Sequence, residues 1–95
     1  MVSPKSIIEV DAAVRERELL VRRCVSDLIR TQRKKHPAVL TQERLASLSE
    51  ISFEHLNHIE NNKSGASLEV LDRIARALGF NRLSDFLALD EHKIL

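Results

Sequence analysis

LTQERLASLSEISFEHLNHIE, residues 40–60, holds two short helical patterns separated by a turn. Leu45 and Leu48 lie three positions apart in the first pattern, which should turn both side chains inward. Leu56 and Ile59 do the same in the second pattern. A residue with a side-chain hydroxyl precedes each pattern and can cap its first turn; these residues are Thr41 and Ser52. Two short helices joined by a tight turn form a helix-turn-helix, which this stretch therefore predicts.

Beyond residue 60 the sequence predicts two more helices. Residues 61–67, NNKSGAS, have loop composition, after which Ser67 can cap a helix that Gly79 ends. The inward side of this helix should carry Leu68, Leu71, Ile74, Ala75 and Leu78. Asn81 can cap a last short helix, which would bear Leu83, Phe86 and Leu87.

Upstream, the longest helical pattern runs from Val10 to Lys35 without Gly or Pro. Ser6 and Glu9 form a capping box that could start it, and Pro37 forces it to stop. Its apolar stripe consists of Val10, Val14, Val21, Cys24, Val25 and Leu28, whereas Leu19, Leu20 and Ile29 fall off the stripe. Such a helix would span roughly 39 Å, more than a small domain needs. Either it breaks near residues 15–18, or its first half protrudes.

The composition favours a single all-α domain. The 95 residues include only three aromatic side chains, two Gly and two Pro, too few for the frequent turns of a β-sandwich or barrel. We expect five helices in a helix-turn-helix domain over residues 21–89. An N-terminal helical extension over 1–20 and a tail over 90–95, which has no clear assignment, would flank this domain.

The cysteine content and the hydropathy pattern indicate the cellular compartment of the protein. The lone Cys24 excludes an intramolecular disulfide framework, and its place on the apolar stripe indicates a small core residue. No apolar run approaches the roughly 20 residues that cross a bilayer. The N-terminus becomes charged before any sustained apolar stretch, unlike a secretory signal. We therefore expect a cytoplasmic protein.

The net charge of +1 hides a gradient along the chain. Residues 1–37 carry +4, residues 38–63 carry −2, and residues 64–95 carry −1. Positive charge concentrates in RTQRKKH, residues 30–36, which could meet phosphate groups. Equally, these cations could be a solvated helix end that interacts favourably with the helix dipole.

Several motifs follow one another in a familiar order over residues 40–80. Gln42 opens the first short helix, Leu45 and Ala46 pack it, Ile51 and Ser52 form the turn, Leu56 and Ile59 anchor the second helix, Glu60 follows, and SLEVLDRIARALGF closes the fold. In this order they resemble the helix-turn-helix of the lambda-repressor and Cro-like family, also called the Xre family. One departure is Glu50, at a turn position usually given to Gly, which must adopt or avoid a left-handed conformation. The connection before Thr41 is also longer than usual.

The resemblance implies that the second short helix enters the major groove of DNA. The base-reading residues would then be Phe53, Glu54, His55, Asn57 and His58. Their chemistry suits base edges, although a face with Arg and Gln would be more typical. The phosphate contacts would come from Thr41, Gln42, Asn61, Asn62 and Lys63.

The resemblance also implies an ion pair between Glu60 and an Arg near the end of the first helix, for which Arg33 is the match. If partly buried, the pair would lock two helices together, and removing one partner would cost several kcal/mol. A surface pair in the same place would contribute at most about 1 kcal/mol. We favour the partly buried pair.

Metal binding and catalysis have little support. His55 and His58 have a spacing that can bring two imidazoles to one side of a helix, but no third ligand is placed by spacing. No Gly-rich phosphate loop appears. We expect no metal, no cofactor and no enzyme activity.

The family resemblance implies a sequence-specific transcription regulator, of the repressor or restriction-modification controller type. A homodimer on a palindromic operator is expected, because one module touches only a few base pairs. Two apolar groups could form the dimer interface. The first consists of Phe80, Leu83, Phe86, Leu87, Leu89, Ile94 and Leu95, and the second of Ile7, Ile8, Leu19 and Leu20.

The alternative belongs to a different class of function. The outward side of the second short helix has few cations and contains Phe53 and Glu54, so it could bind another protein instead of DNA. The chain would then be an adapter or an antitoxin. The polar residues in phosphate-contact positions favour DNA.

Overall fold

The computed structural model describes residues 4–89 and the side chains of residues 11–89, and this part of the chain forms five helices and no strand. The prediction of an all-α, five-helix fold is therefore confirmed. The helices are α1 (Pro4–Lys35), α2 (Gln42–Leu48), α3 (Phe53–Glu60), α4 (Leu68–Ala77) and α5 (Leu83–Leu87). α2 packs on both α3 and α4, while α1 packs on α3 and α5 packs on α4.

One apolar core lies between these helices. Each fully buried aliphatic side chain contributes about 1.5–3 kcal/mol relative to an exposed one. The core consists of Leu28, Ile29, Leu40, Leu45, Ala46, Leu56, Ile59, Val70, Leu71, Ile74, Ala75, Leu78 and Phe86. The predicted inward residues of α3 are all present, with Leu56 and Ile59 at 0% and 1% exposure.

Two core predictions were wrong. Leu48 and Leu68 were expected to face inward but are 44% and 69% exposed, because each occupies a helix terminus that no neighbouring element covers. Ile29 was placed off the apolar stripe but is fully buried. α3 packs on α1 and so widens the buried side of α1 beyond a single stripe.

α1 is one continuous helix that protrudes from the core. It runs from Pro4 to Lys35 without a break near residues 15–18, and every residue from 11 to 20 is exposed. The molecule accordingly measures 54 × 25 × 19 Å. Ser6 lies inside the helix rather than at its cap, because Pro is tolerated in a first turn, where its missing N–H would have no partner.

The helix caps follow the sequence in three of the five predicted cases, and Ser6 is one of the two exceptions. The hydroxyl oxygens of Thr41, Ser52 and Ser67 each accept a hydrogen bond from a backbone N–H in the first turn of α2, α3 and α4. Asn81 does not cap α5. Its N-cap residue is Arg82, which makes no side-chain capping bond.

α2, α3 and α4 end in the same way, with one residue in the left-handed conformation. The N–H of the next residue bonds back to the carbonyl five positions earlier, as in Ile51 to Ala46, Lys63 to His58 and Phe80 to Ala75. The left-handed residues are Glu50 (φ 57°), Asn62 (φ 59°) and Gly79 (φ 101°). Glu50 therefore adopts the strained conformation that Gly would accept freely.

The C-terminal apolar group divides between core and surface. Phe86 has no exposed surface, and its ring centroid lies 5.4 Å from that of Phe80. Its assignment to a dimer interface was wrong, because α5 turns its ring into the domain's own core. Phe80, Leu83 and Leu87 are partly buried against that core, and Leu89 is 41% exposed. Ile94 and Leu95 lie outside the described residues.

We predict that Glu50→Gly stabilises the protein. A non-Gly residue in the left-handed region costs about 1–2 kcal/mol, and the greater chain entropy of Gly offsets about 0.5–1 kcal/mol of that. The net gain of roughly 0.5–1 kcal/mol should raise the midpoint of thermal unfolding by several degrees. Asn62→Gly is the matched control and should gain less, since Asn tolerates this conformation better. An unchanged or lower midpoint for Glu50→Gly would contradict the prediction.

Candidate nucleic-acid interface

α3 is held from behind, so its opposite side is accessible. Leu56 and Ile59 anchor the helix in the core, and Ser52 fixes its first turn by accepting from the His55 N–H at 3.0 Å. Because side chains advance about 100° per residue, the two anchors leave positions 54, 57 and 58 pointing away from the core. The turn between α2 and α3 is closed by the left-handed residue Glu50.

All five predicted base-reading side chains have accessible surface. Phe53 is 46% exposed and Glu54 is exposed, whereas the others are partly buried. The partly buried ones are His55, Asn57 and His58. No described part of the chain seals this side of α3.

The last residue of α3 is a buried carboxylate. Glu60 has 1% exposure, and the Arg33 guanidinium donates to both of its oxygens, at 2.8 Å to Oε2 and 2.9 Å to Oε1. The side chain of Arg33 is itself only 13% exposed. A two-pronged, largely desolvated pair of this kind holds two helices in one orientation. The structure thus brings Arg33 and Glu60 together inside the domain rather than on its surface.

α1 holds the end of α3 at two further points. The Ser26 hydroxyl oxygen lies 2.6 Å from the Ile59 carbonyl, and Arg30 donates to the Glu60 carbonyl at 3.3 Å. Helix C-terminal carbonyls lack partners within their own helix, so these donors satisfy them. Sequence reasoning missed both residues. The available signal for Ser26 was a hydroxyl within one turn of the apolar residues Val25 and Leu28.

The basic cluster at residues 30–36 divides between contacts within the protein and the surface. Arg33 donates to Glu60 and to the Leu40 carbonyl at 3.1 Å, and Arg30 pairs with Asp27 at 2.6 Å. Within this cluster the exposed cations are Lys34 and Lys35. Two of the four Lys and Arg side chains are therefore engaged with groups of the protein itself, Arg33 in the interior and Arg30 in a half-exposed pair.

A hydrogen-bonded chain connects the buried pair to the accessible side of α3. The Gln42 Nε2 donates to Glu60 Oε1 at 3.1 Å, and the Gln42 Oε1 accepts from Asn57 Nδ2 at 3.2 Å. Because a carboxylate only accepts, Glu60 fixes which end of the Gln42 amide faces which neighbour. Asn57 consequently keeps its Oδ1 and one N–H for an outside partner. The spacing of these residues in sequence had not indicated this link.

The predicted phosphate residues lie at two helix ends. Thr41 is exposed at the start of α2, next to Gln42, which is partly buried and engaged as described above. At the end of α3, Asn61 and Lys63 are exposed, and Asn61 donates to the Asn57 carbonyl at 2.8 Å. Asn62 takes the left-handed position of the turn, and its buried Oδ1 has no hydrogen-bond partner. Thr41 and Lys63 thus have the most freely available polar groups.

The described residues contain no cluster of three or more metal-type side chains. No helix in that part of the chain is long and apolar enough to cross a bilayer.

α2 packs on α3, and α3 presents polar side chains on its accessible side. Two short helices arranged in this way define a helix-turn-helix protein. A family model described as helix-turn-helix matches residues 29–86, more than half of the chain. The protein belongs to this family, which is of the lambda-repressor-like, Xre type. Membership supports a DNA-binding regulator, in a family that is typically non-enzymatic. No curated protein and no solved structure matches the chain.

We predict that Arg33→Met destabilises the fold by about 3–5 kcal/mol, because it leaves the Glu60 carboxylate buried without its cation. Urea unfolding followed by circular dichroism measures the loss. Arg76→Met is the matched control, since the Arg76–Asp72 pair within α4 lies on the surface and should contribute at most about 1 kcal/mol.

The double variant Arg33→Met/Glu60→Leu shows whether the loss of stability comes from the unpaired Glu60 charge or from lost packing of the Arg33 side chain. It should recover much of the stability, because both charges leave the interior together. Equal losses for Arg33→Met and Arg76→Met would show that burial adds nothing to the stability that the Arg33–Glu60 pair contributes.

Proposed function

We propose that the protein is a transcription regulator that binds a specific operator with α3 in the major groove. The accessible side of α3, opposite its buried anchors Leu56 and Ile59, is the observation that carries the proposal. A major groove about 12 Å wide admits a helix presented in this way.

Asn57 is the residue we propose as the main reader of sequence. Its Oδ1 and remaining N–H suit the N6 and N7 groups of adenine, and the bond to Gln42 holds the amide in place. Holding the amide before binding lowers the entropy lost on contact. Glu54 would accept from cytosine N4, His58 would donate to guanine, and Phe53 would contact a thymine methyl group, with His55 at the edge of the surface.

The phosphate contacts are proposed to flank this reading surface. Thr41 and the free N–H of Gln42 would meet the backbone at one end, and Asn61, Asn62 and Lys63 at the other. Lys63 is the one of these with a full positive charge. Such contacts position the protein along the duplex but do not choose its site.

We further propose that the protein acts as a homodimer on a palindromic operator. One α3 reaches only a few base pairs, whereas two copies on half-sites about one helical turn apart increase both affinity and selectivity. A repressor or restriction-modification controller is the role that we favour. A bound dimer blocks access to a promoter by occupying the DNA, which requires no additional surface.

A second function is supported by a specific observation. Phe53 is 46% exposed beside the acidic Glu54, and residues 38–63 carry a net charge of −2. An exposed aromatic ring suits a protein partner, as an adapter or an antitoxin would need, and the negative charge around it disfavours DNA. A gel-shift titration on random duplex DNA separates the two functions. Binding at low salt that weakens steeply as salt rises supports the regulator, and no shift at any salt supports the adapter.

We predict that two variants lose DNA affinity with a different dependence on the DNA sequence. Asn57→Ala should lose about 1–3 kcal/mol on the preferred site and little on random DNA, because it removes a base contact. Lys63→Ala should weaken binding to both alike and reduce the slope of log affinity against log salt by about one, because it removes a phosphate contact.

Selecting the bound sequences from a random duplex pool identifies the preferred site. The same selection shows whether the site is a palindrome. Fluorescence anisotropy at several salt concentrations then gives the affinities. If the effects of the two variants are exchanged, the assignment of base and phosphate contacts is wrong.

A further inference from the structure

The protruding half of α1 carries large apolar side chains that are exposed. Val14, Leu19 and Leu20 are 49%, 56% and 42% exposed there. A group of exposed apolar side chains on one element is typical of a protein–protein contact site.

The apolar seam of α1 continues from the core onto this protrusion. Leu28 is buried, Val21 is partly buried and Val14 is half exposed, at intervals of seven residues along the helix. A seven-residue interval keeps side chains on the line where one helix packs along another. Beside Val21 the seam borders a mainly apolar cavity of about 300 Å³, which Ile59 and Leu71 also line.

A stripe of alternating charge runs beside the seam. It consists of Asp11, Arg15, Glu18 and Arg22, spaced four, three and four residues apart, and all four residues are exposed. Neighbours at this spacing can pair within one helix. Within the described residues, however, none of Asp11, Arg15 and Glu18 has an ion-pair partner. The Arg22 guanidinium lies against the backbone at Gly65.

We infer that a second copy of this chain docks on α1 with its own α1 running antiparallel. A two-fold axis between residues 16 and 17 places Arg15 opposite the partner's Glu18 and Asp11 opposite the partner's Arg22. A parallel pair would instead put each charge level with its own copy. The alternation of sign is therefore self-complementary in the antiparallel arrangement, and charge complementarity of this kind sets orientation.

The inference deepens the homodimer in the proposed function, on which it rests. Each helix-turn-helix domain begins near residue 30, so the two domains would stand about 40 Å apart at about 1.5 Å per residue. Successive half-sites on one side of DNA lie about 34–36 Å apart. The separation of the two domains along the α1 pair is thus comparable with the separation of the half-sites.

Two charge reversals test the arrangement in the full-length protein. Arg15→Glu alone faces Glu18 of the partner subunit with a like charge, and Glu18→Arg alone faces Arg15 of the partner subunit likewise. Each variant by itself should dimerise at least about tenfold more weakly than the wild type in sedimentation velocity. An equimolar mixture should form a heterodimer close to wild-type strength, since every opposed pair then has opposite signs.

Each subunit in the mixture keeps its own charge reversal. Recovery of dimerisation in the mixture therefore cannot come from charge pairs within a single helix. Glu16→Arg is the matched control. It reverses an exposed charge on another side of the same helix and should dimerise like the wild type. Circular dichroism of each variant checks that α1 stays helical.

Several results would overturn the inference: a monomeric wild type, single variants that dimerise normally, or a mixture that fails to recover. Gel shifts on random duplex DNA with the same proteins distinguish this failure from that of the proposed function. If the proteins bind DNA and both single variants dimerise normally, the α1 interface is refuted but the regulator is not. If dimerisation responds to the charge exchange but no protein binds DNA, the regulator is refuted but the α1 interface is not.

Discussion

The bidentate pair between Arg33 and Glu60 is the interaction on which the rest of the structure depends. A carboxylate with 1% exposure is tolerated only because a guanidinium meets both of its oxygens. The pair joins the end of α1 to the end of α3, and Gln42 extends it to the start of α2. Three helices that contribute little apolar surface individually are thereby held in one mutual orientation.

This orientation connects stability to recognition. The same carboxylate that Arg33 neutralises also orients the Gln42 amide, which in turn holds Asn57. A side chain that is held before binding loses less entropy on contact than a free one. The accessible side of α3 is therefore an extension of the buried network, and the proposed choice of base depends on a charge that no DNA touches.

The long α1 has two different environments along its length. Its second half carries Leu28 and Ile29 in the core, and its first half presents exposed residues from 11 to 20. A helix that only had to complete the core could begin near Val21. The additional turns carry apolar side chains and a regular alternation of charge, as a contact surface would.

The sequence by itself determined the helices, three of the five predicted N-caps and the anchors Leu56 and Ile59, because these depend on local hydrogen bonds and on helical periodicity. It also indicated Arg33 as the partner of Glu60, through resemblance to a family. Only the tertiary structure decided the burial of Ile29 and Phe86, the exposure of Leu48 and Leu68, and the bond from Asn57 to Gln42. Each of those depends on which neighbouring helix covers a side chain, and periodicity along one helix carries no information about its neighbours.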